Sequence, residues 1–107
     1  MFSFKKTVEK HKKEYLNLLE NVLDSGMGML GPKVKELEKQ LSNYTGSNHT
    51  ICCQSGTFAL SLALKALDIK EGDEVITTPF TWISSTSTIV QSGATPVFVD
   101  IEMDSFN

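Results

Sequence analysis

The residues with the clearest chemical potential are Gln54-Ser55-Gly56-Thr57-Phe58-Ala59-Leu60, which read as a strand end, a tight polar turn and the opening of a helix. The first N–H groups of a helix have no partners inside it, and the helix dipole leaves partial positive charge at that end. A phosphate fits there. Gly56 lets the backbone come close to an anion, and Thr57 adds a hydroxyl donor. On spacing alone, an ordinary helix start capped by serine or threonine, with no ligand, is the commoner explanation.

A second group, Thr78-Pro79-Phe80-Thr81-Trp82, falls at the predicted carboxyl end of the next strand. Open parallel sheets bind ligands beyond the carboxyl ends of their strands, which places the only tryptophan on the same edge as the polar turn. A flat indole there suits stacking on an aromatic ring. Taken singly, Trp82 serves equally well as core filling or as an interface anchor. Together, a helix-end anion site and an aromatic platform suit a ligand that is both phosphorylated and planar.

Other residues carry less. Gly26-Met27-Gly28-Met29-Leu30-Gly31 is a literal G-x-G-x-x-G, but a predicted helix precedes it and no acidic residue lies between Glu38 and Asp68. The dinucleotide fingerprint requires a strand before it and an acid about twenty positions on. His11 and His49 lie far apart and lack the companions of a metal or catalytic pair, so no metal site is expected. Asp68, Glu71, Asp73 and Glu74 read as solvated charges around a turn at Gly72, and Asp100 as a cap for the turn that follows it. The hydroxylated run Ser84 to Thr88 permits close packing and is assigned no chemistry.

These groups need elements to hold them. Val8, Tyr15, Leu16, Leu19, Val22 and Leu23 recur at helical spacing, predicting a helix over 7–24. Pro32 suits the first turn of a second helix carrying Val34, Leu37, Leu41 and Tyr44 and stopping near Gly46. Beyond residue 50 the pattern becomes strand (50–54), helix apolar almost all round (58–67), strand (74–77), helix-length stretch (81–92) and strand (95–99). Strands alternating with helical crossovers predict an α/β fold with a parallel sheet and flanking helices. Its buried faces exceed what two leading helices cover, so the chain is expected to be an incomplete piece of a larger domain.

Composition narrows the partners. The chain has 107 residues, 40% hydrophobic and 21% charged, the balance of a soluble globular protein. A net charge of -3 gives no footprint for nucleic acid, and no apolar run reaches membrane-span length. Met1 to Lys6 has no apolar stretch after its charges, so no secretory leader is expected. Cys52 and Cys53 are adjacent with no other cysteine to pair with, which points to two small buried hydrophobes in a reducing cytoplasm. Without a leader, the sequons at Asn43 and Asn48 are chance matches.

The ordered set Gly31-Pro32, Leu37-Glu38, Ser55-Gly56-Thr57 with Ala59-Leu60, Gly72 to Ile76, Pro79-Phe80-Thr81-Trp82 and Gly93 to Asp100 resembles the DegT/DnrJ/StrS family of sugar aminotransferases from about residue 15 onward. The resemblance implies a pyridoxal 5'-phosphate enzyme of the aspartate-aminotransferase fold type. Residues 1–107 would form the amino-terminal part of its large, mostly parallel cofactor-binding domain, with two leading helices over 7–44 and strand-helix units over 50–100. It further implies a homodimer that moves an amino group from glutamate or glutamine to a nucleotide-linked keto sugar. By position, the amides of Gly56, Thr57 and Phe58 would hold the cofactor phosphate and Trp82 would stack on its ring. Relatives often carry a smaller residue at position 58.

The aspartate that pairs with the ring nitrogen and the lysine that binds the cofactor covalently fall later in such proteins. Lys65 and Lys70 do not match that lysine's setting. No catalytic residue is therefore expected in this chain, and these residues alone are expected to be inactive. A non-catalytic relative, a relative that deoxygenates the sugar, or a generic nucleotide-binding α/β domain would share every residue named here.

Overall fold

A computed structural model describes residues 4–106; Met1 to Ser3, part of the stretch read for a leader, and Asn107 lie outside the described residues. The chain forms two compact units, Met1–Cys52 and Cys53–Asn107.

The first unit is a pair of helices, α1 (Phe4–Ser25) and α2 (Pro32–Thr45). α1 ends where Gly26 turns left-handed (φ 64°) and its amide donates to the Leu23 carbonyl at 3.0 Å. α2 opens on an extended Gly31 with Pro32 in its first turn, and ends at left-handed Gly46, φ 71°. The G-x-G-x-x-G run is thus a connector from helix to helix, with no strand before it, and the dinucleotide reading lacks its required context.

After α2 the structure departs from expectation. Residues 50–54 form no strand. An apolar run is strand-like in sequence, but a strand also needs a neighbour to complete its ladder, and no described strand pairs with this one. Its polar groups go elsewhere: the Cys52 amide donates to Glu38 Oε1 at 2.9 Å, and Ser42 Oγ donates to Thr50 Oγ1 at 2.8 Å. Glu38 of α2 therefore satisfies backbone that a sheet would otherwise occupy.

The second unit runs α3 (Gly56–Ala66), β1 (Glu74–Thr77), α4 (Ser84–Gln91) and β2 (Thr95–Phe98). β1 and β2 are parallel, registered Glu74 with Thr95 through Thr77 with Phe98, and α4 is the crossover between them. The strand–helix–strand alternation is as the sequence predicts. The pairing continues past both ends, with the Thr95 amide on the Asp73 carbonyl and the Val99 amide on the Thr77 carbonyl, each at 2.9 Å. The amides of 95 and 99 face β1, so alternation turns position 96 away from it; Pro96, which has no N–H, sits where β1 requires none.

α4 is shorter than the predicted stretch because Thr81 to Ile83 are spent on the turn that delivers the chain to its first residue. Ser84, Thr88 and Ile89 on this helix, with Ala94 just before β2, are the buried side chains of the unit. α3 packs on α4. Its remaining apolar surface is open: Phe58, Leu60 and Leu62 are all exposed, as is Ile76 of β1. Among the described residues no helix is long and apolar enough to cross a membrane.

The turn into β2 is held at Gly93, where φ is 87° and an added Cβ would stand 3.2 Å from the Glu71 amide nitrogen. Left-handed backbone and a tight neighbour act in the same direction. Gly93→Ala is expected to cost roughly 1–3 kcal/mol of stability, read as a lower midpoint of urea unfolding; an unchanged midpoint would contradict this account of the turn.

Candidate functional site

Ser55 is the N-cap of α3, with extended backbone (φ -164°, ψ 161°) and a hydroxyl that accepts from the Phe58 amide at 3.2 Å. The Ser55 carbonyl accepts from the Ala59 amide at 3.0 Å. That cap explains why the helix begins at Gly56, two residues before the predicted start. It also divides the three amides singled out in the sequence. Phe58 N–H is engaged by the cap, whereas those of Gly56 and Thr57 have no partner among the described residues.

An ideal Cβ built on Gly56 meets nothing within 4 Å, so the approach to these two amides is open. The Thr57 hydroxyl does have a partner: it bonds Ser84 Oγ at 2.7 Å. Ser84 is the first residue of α4, and α4 starts after the carboxyl end of β1. One hydrogen bond thus joins the starts of α3 and α4, and both lie on the edge where parallel sheets receive ligands. Two bare amides, a hydroxyl able to donate and the positive end of a helix dipole form a donor-rich surface, which favours an anion.

Trp82 lies in the turn between β1 and α4, two residues before Ser84. It is 77% exposed, which excludes core filling within these residues. Its carbonyl accepts from the Ser85 amide at 3.0 Å, anchoring the turn to α4. Around the indole is an open hollow of about 350 Å³ lined by Pro79, Phe80, Thr81 and Trp82, and by none of residues 55–58. The two groups named from sequence are therefore linked through Thr57 and Ser84, and that hollow is not a wall they share.

A planar group bearing a phosphate suits this arrangement in two respects: its anionic end has open donors at Gly56 and Thr57, and its ring has an uncovered aromatic face. The lysines of this unit stand elsewhere. Lys65 is nine positions along α3 from Gly56, about 13 Å of helix rise, and Lys70 Nζ pairs with Asp68 Oδ2 at 2.7 Å. Asp100 Oδ1 accepts from the Ile101 amide at 2.8 Å, a local cap. His11 pairs with Glu14 at 2.8 Å on α1. Ser84 is the residue that sequence reasoning passed over. Its hydroxyl has no signature in a serine-rich run, and only the packing of α4 on α3 brings it to Thr57.

These features define an α/β unit whose two parallel strands and open helix starts share the carboxyl edge where such folds receive ligands. Sequence comparison is more specific: the model of the DegT/DnrJ/EryC1/StrS aminotransferase family matches residues 9–107. The chain belongs to that family. It is 45% identical over 95 residues to the spore coat polysaccharide biosynthesis protein SpsC of Bacillus subtilis, covering 89% of this chain and 24% of the relative. It is 42% identical over 89 residues to the UDP-2-acetamido-2-deoxy-3-oxo-D-glucuronate aminotransferase of Pseudomonas aeruginosa, covering 83% and 25%.

Among solved structures it resembles Spr1654 of Streptococcus pneumoniae, seen in a PLP-form and a PMP-form, with a TM-score of 0.81, 46% identity and coverage of 85% of this chain and 23% of that one. The chain thus spans about a quarter of the length of the curated relatives named here.

The cap can be tested apart from any ligand. Ser55→Ala is expected to cost about 1 kcal/mol of stability and to speed hydrogen exchange at the Phe58 amide; unaltered exchange there would show that the cap does not hold the first turn.

Proposed function

We propose that this chain is the amino-terminal part of the cofactor-binding domain of a pyridoxal 5'-phosphate-dependent sugar aminotransferase. Its work there is to hold the cofactor's phosphate and cover one face of its ring. The observation that carries this reading is the pair of amides at Gly56 and Thr57 without partners among the described residues, beside a Thr57 hydroxyl that bonds Ser84 Oγ at 2.7 Å on the helix following the exposed Trp82. Family membership supports it, as do relatives with the same cofactor in its PLP and PMP forms.

In the bound state the cofactor supplies an electron sink for amino-group transfer. The protein's own part is binding and orientation. Gly56 and Thr57 amides and the Thr57 hydroxyl donate to the phosphate, and the positive end of α3 favours its charge. Phe58 contributes its amide only if the Ser55 hydroxyl yields it. Trp82 sets the tilt of the ring and keeps water from that face. The covalent lysine and the acid at the ring nitrogen come from outside these residues, consistent with Lys65 at the far end of α3 and Lys70 held by Asp68.

For the whole protein, the proposed reaction moves an amino group from glutamate or glutamine to a nucleotide-linked keto sugar; the relative that acts on a UDP-linked oxo sugar supports this substrate class. The open apolar surface of α3 and Ile76 is assigned to contact with the rest of the domain, and the working form to a homodimer. Cys52 is half-buried and Cys53 exposed, so they are not the two buried hydrophobes expected from sequence; both are free thiols, the state a reducing compartment maintains, and the cytoplasm is the proposed location.

Two substitutions in the full-length protein test the site. Gly56→Val adds a branched side chain over the two amides without meeting protein atoms near its Cβ. It is expected to fold normally yet bind cofactor at least about tenfold more weakly; normal affinity, followed by cofactor absorbance, would remove the phosphate assignment. Trp82→Ala is expected to weaken cofactor binding about three- to tenfold through lost stacking, and an unaltered affinity and spectrum would refute that role.

A further inference from the structure

We infer that Ser84 is a positioning residue for the cofactor's phosphate: it holds the Thr57 hydroxyl and directs its proton toward the anion. This rests on the phosphate assignment above and adds a residue that does not itself touch the ligand.

Ser84 is 8% exposed, and the Thr57 hydroxyl is the partner of its Oγ among the described residues, at 2.7 Å. Its place is secured from behind: the Ser84 carbonyl accepts from Thr88 Oγ1 at 2.8 Å, and Thr88 is only 2% exposed. The first turn of α4 is therefore a fixed support, while Thr57 stands on the more exposed start of α3.

Proton counting then gives the bond a direction. Each hydroxyl has one proton to donate, and without a ligand either of the two can be the donor. A phosphate dianion only accepts. Once Thr57 donates to it, the Thr57–Ser84 bond must run from Ser84 to Thr57. The chain becomes Ser84 O–H to Thr57 Oγ1, then Thr57 O–H to a phosphate oxygen, and each bond polarises the next. The bond to Ser84 keeps the Thr57 hydroxyl between the two helix starts. The same bond fixes the phosphate donors relative to the turn bearing Trp82.

The consequence is preference for a phosphorylated ring over the same ring without phosphate. The test uses the full-length apoprotein titrated with pyridoxamine 5'-phosphate and with pyridoxamine, which bind without covalent capture. Ser84→Ala is expected to weaken binding of the phosphorylated ligand about three- to tenfold and to leave pyridoxamine within about twofold. Thr57→Ala should show the same selectivity, and Ser84→Ala combined with it should add nothing further, because one chain has been cut twice.

Equal losses for both ligands after Ser84→Ala would reveal a general packing role and overturn the inference. Full affinity after Ser84→Ala, with a selective loss after Thr57→Ala, would overturn it while leaving the phosphate assignment standing. Full affinity after both Thr57→Ala and Gly56→Val would overturn both. Should Ser84→Ala fold poorly, Ser84→Cys, nearly isosteric and only a weak donor, carries the same comparison with a selective loss expected.

Discussion

The candidate site depends on a helix that begins with two amides left bare. A helix start can be closed completely by its cap or opened to a ligand, and α3 divides the task. Ser55 satisfies the Phe58 amide and stabilises the turn, while Gly56 and Thr57 keep theirs exposed. Water serves these donors when nothing is bound, so leaving them open costs little. An anion that replaces the water gains from the charge of the helix end as well as from the hydrogen bonds. Glycine at the first helical position leaves the backbone there without a side chain, and the space a Cβ would enter is empty out to 4 Å.

This open start would be poorly placed without a second helix to aim it. The Thr57–Ser84 hydrogen bond provides that, and Ser84 is itself buried and backed by Thr88. The run of small hydroxylated residues on α4 thereby has two uses. Small side chains let α4 approach α3 closely, and one of their hydroxyls reaches across. β1 places the start of α4, and with it the turn of Trp82, at the edge of the sheet. Thr57 and Trp82 are thus located by the same crossover unit.

The uncovered apolar surface is informative in its own right. α3 is apolar on several faces, and α4 covers only part of it. Among the described residues of the second unit only Ser84, Thr88, Ile89 and Ala94 are buried, a small core for two helices and two strands. The chain spans about a quarter of the length of the curated relatives named above, and the rest of the proposed whole domain is the cover assigned to this surface.

Much of this was legible in the chain itself, because it is local. Apolar spacing, Pro32 and Gly46 delimit α2 almost to the residue, β1 falls on Glu74–Thr77, and the strand–helix–strand order predicts parallel pairing. The candidate amides could be named because a polar turn before a helix leaves the same groups free in any protein. What depended on tertiary structure was every statement about partners. Residues 50–54 have strand-like composition but no neighbouring strand, so Glu38 takes the Cys52 amide instead. The hydroxyls of Thr57 and Ser84 are 27 positions apart, and no periodicity links them. A sequence records which groups a residue can offer; which group meets which is decided when helices pack, because contact depends on distance in space and not along the chain.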